Sequence, residues 1–216
     1  MVDTVNGASS GAPASLEARL LDAGLQALAD TPGDRLSLRQ VAQALEVSHQ
    51  APYVHFGSKR GFLAAVAGVG LQRAAREATE AVDAAGDEPL ERLQALARAY
   101  LSFIRTRPHV HDLAYGPTVA KRDHPLLQRA AISYWNLLHH TVAACQPAGV
   151  DEDEILGRCA AAWGTVYGIA RLGAFEQIPA SVHTDVDDLV RTALDALFAG
   201  WQKPPPNRPV KAGGVD

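Results

Sequence analysis

The chain is predicted to be all-α, and three observations predict it. Strong helix formers such as Ala, Leu, Arg, Glu and Gln abound, whereas β-branched runs are scarce and aromatic residues make up only 6% of 216 residues. Apolar residues recur three and four apart along most of the chain, which is helical spacing rather than the alternation of a strand. No Gly-rich strand–turn–helix unit and no internal repeat breaks that pattern. A hydrophobic fraction of 47% is ample for a core. The expected architecture is three short helices followed by a bundle of about six longer ones.

The first helix is expected over 15–29, where Leu16, Leu20, Ala23, Ala27 and Leu28 share a face. The string DTPGD stops it. Ser37 opens a short second helix as the start of a capping box with Gln40, and Leu38, Val41, Ala42 and Leu45 form its buried stripe. Ser48 is expected to cap a third helix that begins at His49 and runs through Tyr53 to Phe56. That assignment makes Pro52 the fourth helical residue. Proline costs ~3 kcal/mol in a helix interior, but here the lost hydrogen bond is confined to the first turn. Ser58 caps a fourth helix reaching toward Gly86. Long amphipathic helices follow over about 88–106, 125–144, 152–175 and 186–201, with a short one inside the 107–125 connection.

The opening residues 1–14 lack a basic start and an apolar stretch, so they read as a disordered arm rather than a signal peptide. The Pro- and Gly-rich residues 203–216 read as a disordered tail. The longest apolar run, FLAAVAGVG, is far short of the ~20 residues of a membrane span, so no membrane partner is expected. Cys145 and Cys159 form no CxxC pair and read as free thiols in a reducing cytosol, which points to a cytoplasmic protein.

Two short helices joined by a tight turn have helix-turn-helix geometry, in which the second helix enters the DNA major groove. Val41, Leu45 and Val47 can lock the pair together, and Phe56 can plug it onto the first helix. The outward set differs in kind: His49, Gln50, Tyr53 and His55, then Lys59 and Arg60, all donate hydrogen bonds to bases or phosphates. Net charge is −4, so a nucleic-acid role must rest on local charge. Between residues 35 and 60, Arg35, Arg39, Lys59 and Arg60 stand against Glu46 alone, a balance of +3.

The stretch SLRQVAQALEVSHQAPYVHFGSKRGFLAAVA, residues 37–67, resembles the DNA-binding domain of the tetracycline-repressor (TetR) family, down to a VSHxAPYxHF string found in a subgroup. The resemblance spans residues 15–66 and implies a homodimeric, ligand-responsive transcription regulator, commonly a repressor, bound to a palindromic operator on double-stranded DNA. It implies that Ser37, Tyr53 and Lys59 hold phosphates, that His49 and Gln50 read bases, and that His55 touches the backbone. Arg39 and Ser48 complete the expected DNA-binding set. Glu46 stands where the family often has Gly in the turn; at positive φ it would cost ~1 kcal/mol relative to Gly.

Residues 67–202 are expected to hold the ligand-binding and dimerisation domain. AAWGTVYGIARLG resembles a family sub-domain named for a Trp…His-Gly motif: it keeps Trp163 and Gly168 but has Tyr167 where His is usual. Small residues at Ala161, Gly164 and Gly168 let another helix come close, and the last helix carries Leu189, Leu194, Leu197 and Phe198 on a wide stripe. Paired across two subunits, these helices are the expected dimer interface. Aromatic residues gather between the two ends of the chain, and Tyr100, Phe103, Trp135, His139, Trp163 and Tyr167 are the expected wall of a small-molecule pocket. With no inward cluster of like charge, an apolar or aromatic effector is expected.

Two other classes fit parts of the sequence. A bundle di-metal enzyme needs paired Glu-x-x-His motifs, and only Glu46 to His49 occurs, across a turn. No nucleophile elbow, phosphate loop or dinucleotide fingerprint is present, so no catalytic residue, metal ligand or cofactor is assigned. A helical adaptor shares the amphipathic helices but leaves the His49, Gln50, Tyr53 and Lys59 set without a purpose.

Overall fold

The computed structural model describes residues 15–203, and the expected arm and nearly all of the expected tail lie outside them. Nine α-helices and one 3₁₀ turn make up the described residues: α1 Leu16–Asp30, α2 Leu38–Ala44, α3 Ala51–Phe56, α4 Lys59–Ala84, α5 Pro89–Thr106, α6 Pro108–Tyr115, the 3₁₀ turn Lys121–Asp123, α7 Pro125–Ala144, α8 Glu152–Ala174 and α9 Val186–Trp201. Their starts follow from local chemistry. Side-chain oxygens of Ser15, Ser37, Ser58, Asp151 and Asp185 each accept a backbone N–H three residues on, satisfying donors the helix leaves orphaned. Helices α5, α6 and α7 begin on proline, whose missing N–H costs nothing there.

The third helix departs from expectation. It starts at Ala51, not His49, and Gln50 is its N-cap without a side-chain cap bond. Ser48 does not cap it; its Oγ accepts the Gln50 N–H at 3.3 Å and tightens the preceding turn instead. Pro52 is thus the second helical residue, where no intrahelical partner is lost, and its ring is buried. Phe56 is half-buried and meets Phe62 edge-on at 5.2 Å; it joins α3 to α4.

Helix α4 is the spine, packed against α1, α3, α5, α6 and α7. It runs unbroken through position 66, so the expected domain boundary falls inside a helix. Its inner residues are mostly small, among them Ala64, Ala67 and Ala74, and this lets neighbours come close. At Gly70 an added Cβ would lie 2.4 Å from Val110 Cγ1 of α6. Phe62, fully buried, anchors α4 on α1 beside Gly24. Burial of one such ring stabilises by about 1.5–3 kcal/mol. Cys145 and Cys159 are free and buried, and burial pushes both thiols up to about 11, which keeps them unreactive.

Candidate nucleic-acid interface and ligand cavity

Helix α2 ends in a turn that aims α3 outward. The amide of Val47 donates to Ala42 O at 3.1 Å and that of Glu46 to Gln43 O at 3.0 Å, the two bonds of a Schellman motif. Glu46 occupies the left-handed position with φ 56°, where glycine is the usual residue. Beyond the turn, Ser48, His49, Gln50, Tyr53 and His55 are exposed, as is Arg39 on α2, while Ser37 and Lys59 are half-buried. His49 and Gln50 therefore project from the turn just before α3 rather than from its first turn. Lys59 is partly committed: its Nζ donates to the Asp34 carbonyl at 2.7 Å, tying the start of α4 to the loop before α2. Two of its donors are left for a phosphate. One surface residue escaped the sequence reading. Val54, 80% exposed on α3, presents an apolar group to solvent next to Tyr53.

The second feature is a partly open cavity of about 340 Å³ lined by α5, α7, α8 and α9 together with Tyr115 and Lys121. Tyr100, Trp135 and Trp163 of the expected wall line it. Phe103, His139 and Tyr167 do not. Phe103 is a core residue packed edge-on against His111 at 5.6 Å. His139 turns to Glu152, with Nε2 2.8 Å from the carboxylate but not aligned for a hydrogen bond. Tyr167 sits behind Trp163 and stacks on His111. Much of the wall is aliphatic, with Leu93, Leu96, Leu138 and Val166 prominent.

A polar chain backs this cavity. Trp163 Nε1 donates to the Tyr100 hydroxyl at 3.2 Å, and that hydroxyl lies 3.0 Å from His111 Nε2 on α6. Burial holds the imidazole neutral, lowering its pKa to about 4, so Nε2 can accept the Tyr100 proton. Nδ1 has no hydrogen-bond partner among the described residues. Burial also raises the Tyr100 and Tyr134 hydroxyls above the ordinary tyrosine value, so both stay protonated. His111 was not among the expected wall residues.

The expected dimer surface divides. Ala161 and Gly164 on α8 are exposed and Gly168 partly so, and a Cβ added at Gly164 or Gly168 would meet nothing within 4 Å. Leu172 and Phe175 extend this open face with 45% and 57% exposure. On α9, Leu189, Leu197 and Phe198 are half-buried. Leu194 is not a surface residue: it is 1% exposed and lines the cavity.

An exposed short helix held after a tight turn on a three-helix unit, with a separate helical bundle behind it, defines a helix-turn-helix DNA-binding regulator. Comparison with known proteins makes the class specific. Residues 20–66 match the family model "Bacterial regulatory proteins, tetR family", and residues 93–197 match "Tetracyclin repressor-like, C-terminal domain". The chain belongs to the TetR family of transcription regulators. A solved structure from Rhodococcus sp. RHA1, described as a protein with unknown function, is similar with TM-score 0.73 and 28% identity over 91% of this chain and 100% of that one. A possible TetR family transcriptional regulator from Streptomyces coelicolor A3(2) shares the fold with TM-score 0.60 and 21% identity, over 85% of this chain and 97% of that one. So does the transcriptional regulator FadR from Bacillus subtilis in complex with stearoyl-CoA, with TM-score 0.63 and 14% identity over 84% and 97% of the two chains. No curated protein matches by sequence.

Proposed function

We propose that the protein is a cytoplasmic, homodimeric repressor of the Trp…His-Gly type that occupies a palindromic operator and is released by a small, largely apolar effector. The observation that carries this reading is the contact between cavity and DNA-binding unit. His111, hydrogen-bonded to cavity residue Tyr100, lies on α6 next to Val110, which rests on Gly70 of α4. Leu113, on the same helix, packs against Gly33 in the turn between α1 and α2. An effector that displaces Trp163 or Tyr100 shifts α6, and α6 cannot shift without moving α4 and the short helices it carries.

In a two-fold dimer built on α8 and α9, that motion changes the separation of the two copies of α3. Half-sites one helical turn apart, ~34–36 Å, tolerate little change. Only an effector with different affinity for the two states shifts the balance. Ser37, Tyr53 and Lys59 serve as phosphate contacts in this reading, and His49 and Gln50 as base readers.

Selection of bound fragments from random duplex DNA tests the first half, with a symmetric consensus expected and binding that weakens steeply with salt. Failure to retain any duplex at low salt overturns it. A compound that raises the melting temperature yet leaves operator binding unchanged overturns the second half.

A further inference from the structure

Among the described residues, the cavity wall has one charged residue. Lys121, on the 3₁₀ turn, joins a lining that is otherwise apolar and aromatic apart from Gln128, and no described Asp or Glu lines the space. Its Nζ lies 4.4 Å from the centroid of the Tyr115 ring, and it makes no ion pair with any described residue. Partial withdrawal from water lowers its pKa, so its surroundings leave the positive charge incompletely compensated. Among the described residues, the other polar groups of the lining are the exposed Gln128, the indole N–H groups and the tyrosines, none of which carries a negative charge at neutral pH.

An ammonium held over one aromatic face in the wall of a mainly apolar cavity is half of an amphiphile site. The geometry points to a monoanionic amphiphile as the occupant, with its apolar body among Leu93, Leu96, Trp135 and Val166 and its carboxylate on Lys121. A single cation matches a single negative charge, and the volume lies at the small end of the ~300–1,000 Å³ usual for ligand sites. This rests on the cavity being the effector site, and it replaces the wholly apolar ligand expected from sequence with one bearing an acid group.

Decanoate and decanol, equal in chain length and different in charge, are the probes. Each is titrated calorimetrically into the full-length protein, Lys121→Met and Lys121→Arg at one pH and salt. The wild type is expected to prefer decanoate. Lys121→Met should weaken decanoate by about 10- to 100-fold, the range for a charged hydrogen bond, and leave decanol unchanged. Lys121→Arg should restore most of the loss.

Equal binding of the two probes by the wild type, or unaltered decanoate binding in Lys121→Met, overturns the assignment while leaving an apolar cavity in place. Binding of neither probe overturns the assignment and the apolar-effector reading together. If decanoate binds through Lys121 but does not release operator DNA, the anion site stands and the regulatory reading falls.

Discussion

Replacing Glu46 by glycine should stabilise the protein and tighten its hold on DNA, for separable reasons. Glu46 is fixed at φ 56° by two bonds, its own amide to Gln43 and the next amide to Ala42. An L-residue in that region costs about 1–2 kcal/mol, and glycine returns about 0.4–1 kcal/mol of this by freeing the unfolded chain. The balance favours Glu46→Gly by roughly 0.5–1 kcal/mol, or about 1–4 °C in melting temperature for a chain of this size. The charge acts elsewhere. At about 10 Å from a phosphate in water, one carboxylate contributes about 0.4 kcal/mol of repulsion, about two-fold in affinity, and salt screens it. Glu46→Gln removes the charge and keeps the backbone strain. Differential scanning fluorimetry and operator titration at two salt concentrations should therefore show a melting gain in Glu46→Gly only and a low-salt affinity gain in both. A melting gain of equal size in Glu46→Gln, or a loss in Glu46→Gly, refutes the strain argument.

Other outcomes follow from the same contacts. Gly70→Ala puts a methyl 2.4 Å from Val110 Cγ1 and should cost about 1–3 kcal/mol, seen as an earlier urea midpoint, with Val110→Ala in the same chain recovering most of it. His111 is neutral in the folded protein because burial lowers its pKa to about 4 from 6.5. The unfolded chain binds more protons between those values, so this contribution is complete above about pH 6.5 and is lost as pH falls toward 4. Unfolding free energies from urea titrations at pH 7 and 4.5 should thus differ more for the wild type than for His111→Gln, by about 2 kcal/mol, and an equal pH dependence of the two chains contradicts it. At the DNA surface, Tyr53→Phe should weaken every duplex about equally, while Gln50→Ala should relax selection at one base position. A reversal of those effects in a binding-site selection removes the assigned roles.

Helix starts were legible wherever one residue's chemistry decides them. Ser37 and Ser58 open α2 and α4 as their chemistry predicts, and the starts expected near 88, 125, 152 and 186 fall within a residue of those observed, where Pro89, Pro125, Asp151 and Asp185 act locally. The start of α3 was misplaced for an equally local reason. A serine before a helix can cap it or close the turn ahead of it, and these alternatives differ by little energy. Ser48 closes the turn, and Pro52 then lands where its missing donor is harmless. The sequence raised positive φ at Glu46 only as a condition, since the family often has glycine there, and the Schellman bonds supply its cause.

The cavity was legible only in part, because periodicity says which residues share a face and not what that face meets. Phe103 and Tyr100 lie three apart on α5 and both are buried, yet one fills the core beside His111 and the other borders empty space. What separates them is the neighbour each meets, and those neighbours are distant in sequence, as in the bond of Trp163 to Tyr100. Lys121 carries no periodic signal at all, since it reaches the cavity from a three-residue turn. Leu194 shows the same limit from the other side. A stripe wide enough for two neighbours cannot say which of its residues turn inward, and on α9 Val190 and Leu194 are buried while Leu189 and Leu197 keep part of their surface open. That remaining surface, continuous in character with the open face of α8 at Ala161 and Gly164, is what a second subunit would have to cover.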